Sequence, residues 1–192
     1  MEGTMIRLLV QNILERPGGF DWSVQGLGMM RLYLSDEVRL HIWDSALKVP
    51  GVSAIHSHPW DMESKVVAGR YKQHRYTRTP PNRVPWGGKF KCVQIRCGEG
   101  ACVTEPPVEV ELDEQPLEVY LPGMSYNQSH DEIHLSCPED GTVTLVTRAF
   151  LEDRDHARVY WRGKGDWVDA KPRRATPDEV TQVTARALRT WF

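Results

Sequence analysis

His56 and His58 stand one residue apart in AIHSHPWDMESKVVAGRY, residues 54–71. In an extended strand, residues two apart point to the same face, so these imidazoles are expected to project together. Two neutral imidazoles in that arrangement can take adjacent positions on one transition metal ion. A His-x-His pair also occurs on solvated strands, so the reading needs partners. Glu63 follows five residues after His58. Far along the chain, PGMSYNQSHDEIHLS brings His134 into a second strand-like run, bracketed by Ile133 and Leu135. The candidate ligands are therefore His56, His58, Glu63 and His134. His130 lies four residues before His134, a ligand spacing on a helix. Asn127, Gln128, Asp131 and Glu132 point instead to a turn, so His130 is expected beside the site or at the surface.

These positions resemble the two motifs of the cupin superfamily. The first motif, Gly, spacer, His-x-His, Glu, Gly, is matched by Gly51, His56, His58, Glu63 and Gly69. The second is matched by Gly123, Tyr126 and His134, with Ser129 and Asp131 where the family has Pro and Gly. The resemblance covers about residues 38–150. It implies a small antiparallel jelly-roll barrel, a double-stranded β-helix, whose lumen holds one divalent metal. Two spacings depart from the family. Each is one residue short, and counting back from Gly69 by the usual distance lands on Met62. A shift of one residue turns a side chain to the opposite face of a strand. Glu63 is thus either a fourth ligand or an outward charge. The second case leaves three histidines, which resembles the thiol dioxygenase branch of the superfamily. That branch carries His and Tyr on the strand after the third metal histidine, where this chain has Val146 and Arg148. Cysteine is accordingly not the expected substrate.

Other side chains are candidates for substrate work. Arg148 can bind a carboxylate through its guanidinium fork, or face solvent. His41 shares a face with Arg39 and Trp43 in VRLHIWD, and that strand could line the pocket opposite the metal. Trp60 follows Pro59 directly after the histidine pair and could wall the pocket against water. Tyr71, Gln73 and Arg75 share a face, expected to point inward if Glu63 does. Catalytic roles fall to Glu63, His41 and Arg148, and substrate contacts to Arg39, Trp60, Tyr71, Arg75 and Arg148. The leading expectation is a mononuclear non-heme Fe(II) dioxygenase acting on a small polar or carboxylate-bearing molecule. A metal-dependent isomerase or epimerase of a sugar or keto acid is the alternative, with Glu63 or His41 as base. A non-catalytic ligand-binding cupin is the third. Fe(II) is the preferred metal, with zinc, manganese and nickel as alternatives.

The elements that must position these groups are legible in outline. From about residue 28 to 150, short alternating runs such as MRLYL, VRLHIWD, KFKCVQIRC and TVTLVTRAF are separated by Gly, Pro, Asp and Asn. Many short strands at close spacing predict an all-β barrel or sandwich. TMIRLLVQNILE (4–15) has helical apolar spacing and ends before Pro17 and two glycines. TPDEVTQVTARALRTWF shows a capping box, with Thr176 as N-cap, Pro177 next and Glu179 three residues on. The expected organisation is an N-terminal extension (1–27), a barrel (28–160) and a C-terminal extension with a helix (161–192). RTPPNRVPWGGK (78–89) reads as a loop at the barrel mouth or edge. Cys97 and Cys102 flank a turn-like GEGA, and reduced cysteines are expected.

The chain has 192 residues, 40% hydrophobic, with net charge −2, so nothing favours nucleic acid or an anionic membrane. No apolar run approaches a membrane span, and the first residues lack signal-peptide features. A cytoplasmic protein is expected, with a small-molecule substrate, dioxygen if it is an oxygenase, and an edge-strand homodimer.

Overall fold

The computed structural model describes residues 2–80, 83–84, 86–96, 102–150, 155–163 and 171–191. The chain opens with α1 (Glu2–Glu15) and runs through β1 (Trp22–Gln25), β2 (Leu27–Tyr33), β3 (Val38–Lys48), β4 (Ile55–His56) and β5 (Trp60–Ala68). It continues through β6 (Tyr71–Arg78), β7 (Gly88–Arg96), β8 (Cys102–Val103), β9 (Val108–Glu114) and β10 (Glu118–Tyr120). It ends with β11 (Ser125–Gln128), β12 (Ile133–Ser136), β13 (Val143–Phe150), β14 (His156–Trp161), β15 (Arg173–Arg174) and α2 (Pro177–Arg189).

All pairings are antiparallel and form two sheets. The first has the order β11-β5-β13-β3-β2-β1-β15. The second has the order β10-β6-β12-β4-β14-β7-β8, with β9 paired to both β6 and β7. Those two extra pairings close a ring of six strands, β6-β12-β4-β14-β7-β9. Tyr76, Phe90, Cys92, Leu112, Ile133 and Tyr160, with Ile55 against them, form one cluster to which every ring strand contributes. That cluster fills the ring.

The mainly-β expectation and both terminal helices hold. The expectation of a single barrel is met in part: two antiparallel sheets are present, and the second curls into a ring with a core of its own. The reason lies in strand alternation. Ile133 and Leu135 turn into the ring cluster, so His134 and Ser136 turn out of it, toward the first sheet. The first sheet also begins at Trp22, within the stretch read as an extension, and β15 from the C-terminal stretch pairs with it.

The outer face of the first sheet is covered by the helices. Leu40, Ile42, Val67 and Val143 pack there with Val10, Ile13 and Leu14 of α1 and Val183 and Ala187 of α2. The capping box read from sequence is present. Glu179 N–H donates to Thr176 Oγ1 at 3.2 Å, and Thr176 N–H donates to Glu179 Oε2 at 2.9 Å. Gly69 turns the chain from β5 into β6 with φ +77°, and a Cβ there would meet Thr142 Cα at 2.7 Å. Only glycine serves both demands, a left-handed backbone and a close approach. Cys97 and most of its expected hairpin lie outside the described residues, as do Pro81, Asn82 and Pro85 of the 78–89 loop. No helix among the described residues is long and apolar enough to cross a membrane.

Candidate metal centre

Three elements bring three imidazoles together between the sheets. His56 ends β4 and pairs across the ladder with His134 of β12. His58 lies just beyond β4, where its backbone N–H donates to the His130 carbonyl at 3.0 Å. The ring centroids stand 4.7 Å apart for His56 and His58, 4.5 Å for His56 and His134, and 5.1 Å for His58 and His134. Each residue offers one nitrogen, and these nitrogens all lie within 4.8 Å of one another.

The donor set suits a metal ion. Bonds of about 2.1 Å to one ion require nitrogens no more than about 4.2 Å apart, so a small inward turn of the rings closes the set. Burial holds all three imidazoles below their ordinary pKa, His58 and His134 well below; the His56 charge lowers those two further, and backbone bonds at His56 and His134 partly oppose the shift. Neutral imidazole is the form that ligates. His56 Nδ1 lies 3.0 Å from the Ala54 carbonyl, which accepts its proton and leaves the Nε2 lone pair free. Gln128, buried beside His134, contacts Nδ1 of that ring. The contact is through Gln128 Nε2, and Gln128 Oε1 has no partner among the described residues; turning the carboxamide over would bring that oxygen to Nδ1, hold the proton there and free Nε2 in the same way. Trp60 stacks on His58 at 5.4 Å and 24°, limiting how that ring can swing.

The histidines open on a cavity of about 180 Å³ lined by both sheets. Its walls include Arg31, Arg39, His41, Trp43, Trp60, Met62, Tyr71, Tyr126, Val146 and Arg148, and among the described residues no aspartate or glutamate. Of the residues read from sequence, the structure brings His56, His58, His134, His41, Arg39, Arg148, Trp60 and Tyr71 to this one space.

Two do not arrive. Glu63 is exposed and lines a shallow groove with Asn127 and Thr147 on the other side of β5. Counting by twos from buried Val66 reaches Ser64 and then Met62, which lines the cavity instead. The fourth-ligand and base roles considered for Glu63 are therefore corrected. Arg75 is the ladder partner of His134 but does not line the cavity; it is paired with Glu118 at 3.0 Å and with Glu132, and donates to the Asn127 carbonyl at 3.1 Å. Tyr71 points in while Glu63 points out, against the expectation that they share an orientation, because the Gly69 turn carries the chain from one sheet to the other. Tyr71 bonds Ser136 Oγ at 2.6 Å and stacks on Tyr126 at 4.9 Å, and burial pushes its phenol up to about 12.

Arg31 and Gln128 were not anticipated. Arg31 was readable in MMRLYL (29–34), where strict alternation places Met29, Arg31 and Tyr33 on one face. Gln128 carried no local signal, because its role depends on pairing between β11 and β5. His130 sits beside the site, its Nδ1 2.8 Å from Asp61 Oδ1. No protein-family model matches the chain, and no curated protein matches it. The established description is thus a two-sheet antiparallel fold with a three-histidine group able to hold a metal ion.

Proposed function

We propose that this protein is a mononuclear metal-dependent oxygenase of a cupin-like jelly-roll type, acting on a small anionic molecule. The observation that carries the reading is the open side of the histidine triad. Three neutral imidazoles occupy one face of the metal position, and the other face meets a cavity lined by arginines. With no carboxylate among the described residues joining the group, the set resembles the three-histidine arrangement rather than the four-ligand one. Bound there, Fe(II) supplies open positions for dioxygen and a substrate atom. The chain's own groups do the rest. Arg39 and Arg148 orient an acidic substrate by charge-assisted hydrogen bonds. Trp60 and Pro59 wall the triad from water. His41, buried and held neutral by burial and by the neighbouring arginines, offers Nε2 as a proton acceptor.

That same Nε2 supports a second reading, a metal-dependent isomerase in which His41 moves a proton beside a polarised carbonyl. Oxygen uptake separates the two. The protein is loaded with Fe(II) and offered small carboxylic acids, thiols and their phosphorylated analogues in an oxygen electrode. Substrate-dependent oxygen consumption, lost in His134→Ala, is expected. Conversion of substrate without oxygen uptake replaces the oxygenase by the isomerase. No turnover with any metal removes the enzyme reading.

A further inference from the structure

Three arginines form a bank at one end of the cavity. Arg31 lies on β2, Arg39 on β3 and Arg148 on β13, three neighbouring strands of the first sheet. Arg39 pairs across the ladder with Tyr33 on one side and Val146 on the other. The three guanidinium carbons stand 5.0, 4.6 and 5.8 Å from the centre of the Tyr33 ring, in the order 31, 39, 148. All three residues are buried, at 7–8% exposure. Among the described residues none of them pairs with a carboxylate. Their hydrogen bonds are few: Arg31 Nε donates to Ser23 Oγ at 3.3 Å, and Arg148 donates to the Asp36 carbonyl. Arg39 Nε and Arg148 Nε have no hydrogen-bond partner among the described residues.

A buried cation persists when something compensates it. Aromatic faces compensate in part, and Tyr33, Trp60 and Phe150 are in place for that. They do not satisfy the free N–H groups. The bank also repels itself. Arg39 is depressed to about 9 chiefly by burial, with Arg148 and Arg31 adding to the effect. A singly charged carboxylate would occupy one fork and leave two cations unmatched.

We propose that the bank is the seat of a doubly charged oxyanion, a phosphate monoester being the chemistry that fits, on a small molecule whose other end faces the histidines. The seat is a property of the arginines alone. The orientation of the molecule toward a reacting centre rests on the metal-dependent reading above. Three forks match the several acceptor oxygens of a phosphoryl group, which one carboxylate cannot. Among the described residues the lining contains no acid to oppose it, and the small cavity limits the remainder of the molecule to a few heavy atoms.

The test is calorimetric titration of inorganic phosphate at fixed ionic strength, against acetate and chloride, into metal-stripped and metal-loaded protein. Saturable one-site phosphate binding to the metal-stripped protein is expected, with acetate much weaker. Arg39→Gln and, separately, Arg148→Gln should each weaken it at least about tenfold, the loss of one charge-assisted contact. Near-ultraviolet circular dichroism establishes that each variant keeps its packing, and two separate positions guard against one that does not. Absence of phosphate binding to the metal-stripped protein, or unweakened binding in both arginine variants, overturns the proposal. Phosphate binding without metal binding would leave the seat standing and remove the metal reading. Metal binding without phosphate binding would do the reverse.

Discussion

The two faces of the first sheet are built from the same strands and do opposite things. Along β3, Leu40 and Ile42 turn to the helices and are fully buried among apolar side chains. Arg39, His41 and Trp43 turn the other way, into the cavity. Among the described residues the helix-covered face contains no buried side-chain atom without a partner, whereas Arg39 Nε, His41 Nε2 and Arg148 Nε on the other face have none. Burying polar atoms without partners costs free energy that packing elsewhere must offset. The contrast teaches that one face holds the fold and the other spends stability on a site.

The largest effect should come from breaking the first face. Ile42→Ala removes a fully buried side chain and is expected to cost about 2–5 kcal/mol in denaturant unfolding, while metal stoichiometry of the folded protein stays unchanged. A loss of metal at full folding would show that the faces are not separable.

Acid should strike the other face. His41, His56, His58 and His134 are all held below the ordinary imidazole value, first of all by burial. Below about pH 6.5 the unfolded chain therefore binds more protons than the folded one. Stability of the metal-free protein is full above that pH and falls as pH drops toward the depressed folded values. Denaturant midpoints measured from pH 8 to 5 should decline below about 6.5; a flat profile would mean that the histidines are not buried neutral.

A smaller effect sits behind the ligands. Gln128→Leu is expected to lower metal affinity about 10–100-fold by freeing the His134 tautomer, read by competition with a chelating dye. Unchanged affinity would reduce Gln128 to packing. Arg39→Met should raise the unfolding free energy by about 1 kcal/mol, since it replaces an unpaired buried charge with an apolar chain of similar length. Destabilisation instead would mean that the cation is already compensated within the protein. Glu63→Gln should change neither metal content nor stability beyond about 0.5 kcal/mol, as for an exposed side chain. Loss of metal in that variant would restore Glu63 as a ligand.

Much of this was legible in the residues, and the rest failed for identifiable reasons. His56 and His58 were readable because short-range spacing puts them together even though β4 ends between them. The capping box at Thr176 was readable because it is local chemistry. His134 needed motif likeness, since its pairing with His56 spans most of the sheet region. Glu63 was ambiguous because a one-residue difference in spacing decides the face, and only the register of β5 resolves it. Tyr71 reaches the cavity as alternation suggests, whereas Arg75, on the same face, is drawn off by Glu118 and Glu132, long-range partners that leave no local pattern. Closure of the six-stranded ring by β9 depends on two long-range pairings that leave no local pattern. Arg31 was in plain view, in phase with Arg39 across a hairpin, and becomes conspicuous only when its lack of an acidic partner is known.

The central claim is that His56, His58 and His134 hold one metal ion. Its most direct test is the metal content of the protein and of His134→Ala, purified side by side without added metal and measured by elemental analysis. The account predicts about one transition-metal ion per chain in the first, as three imidazole ligands allow, and its loss in the second. Equal metal in both, with the variant folded, would contradict it.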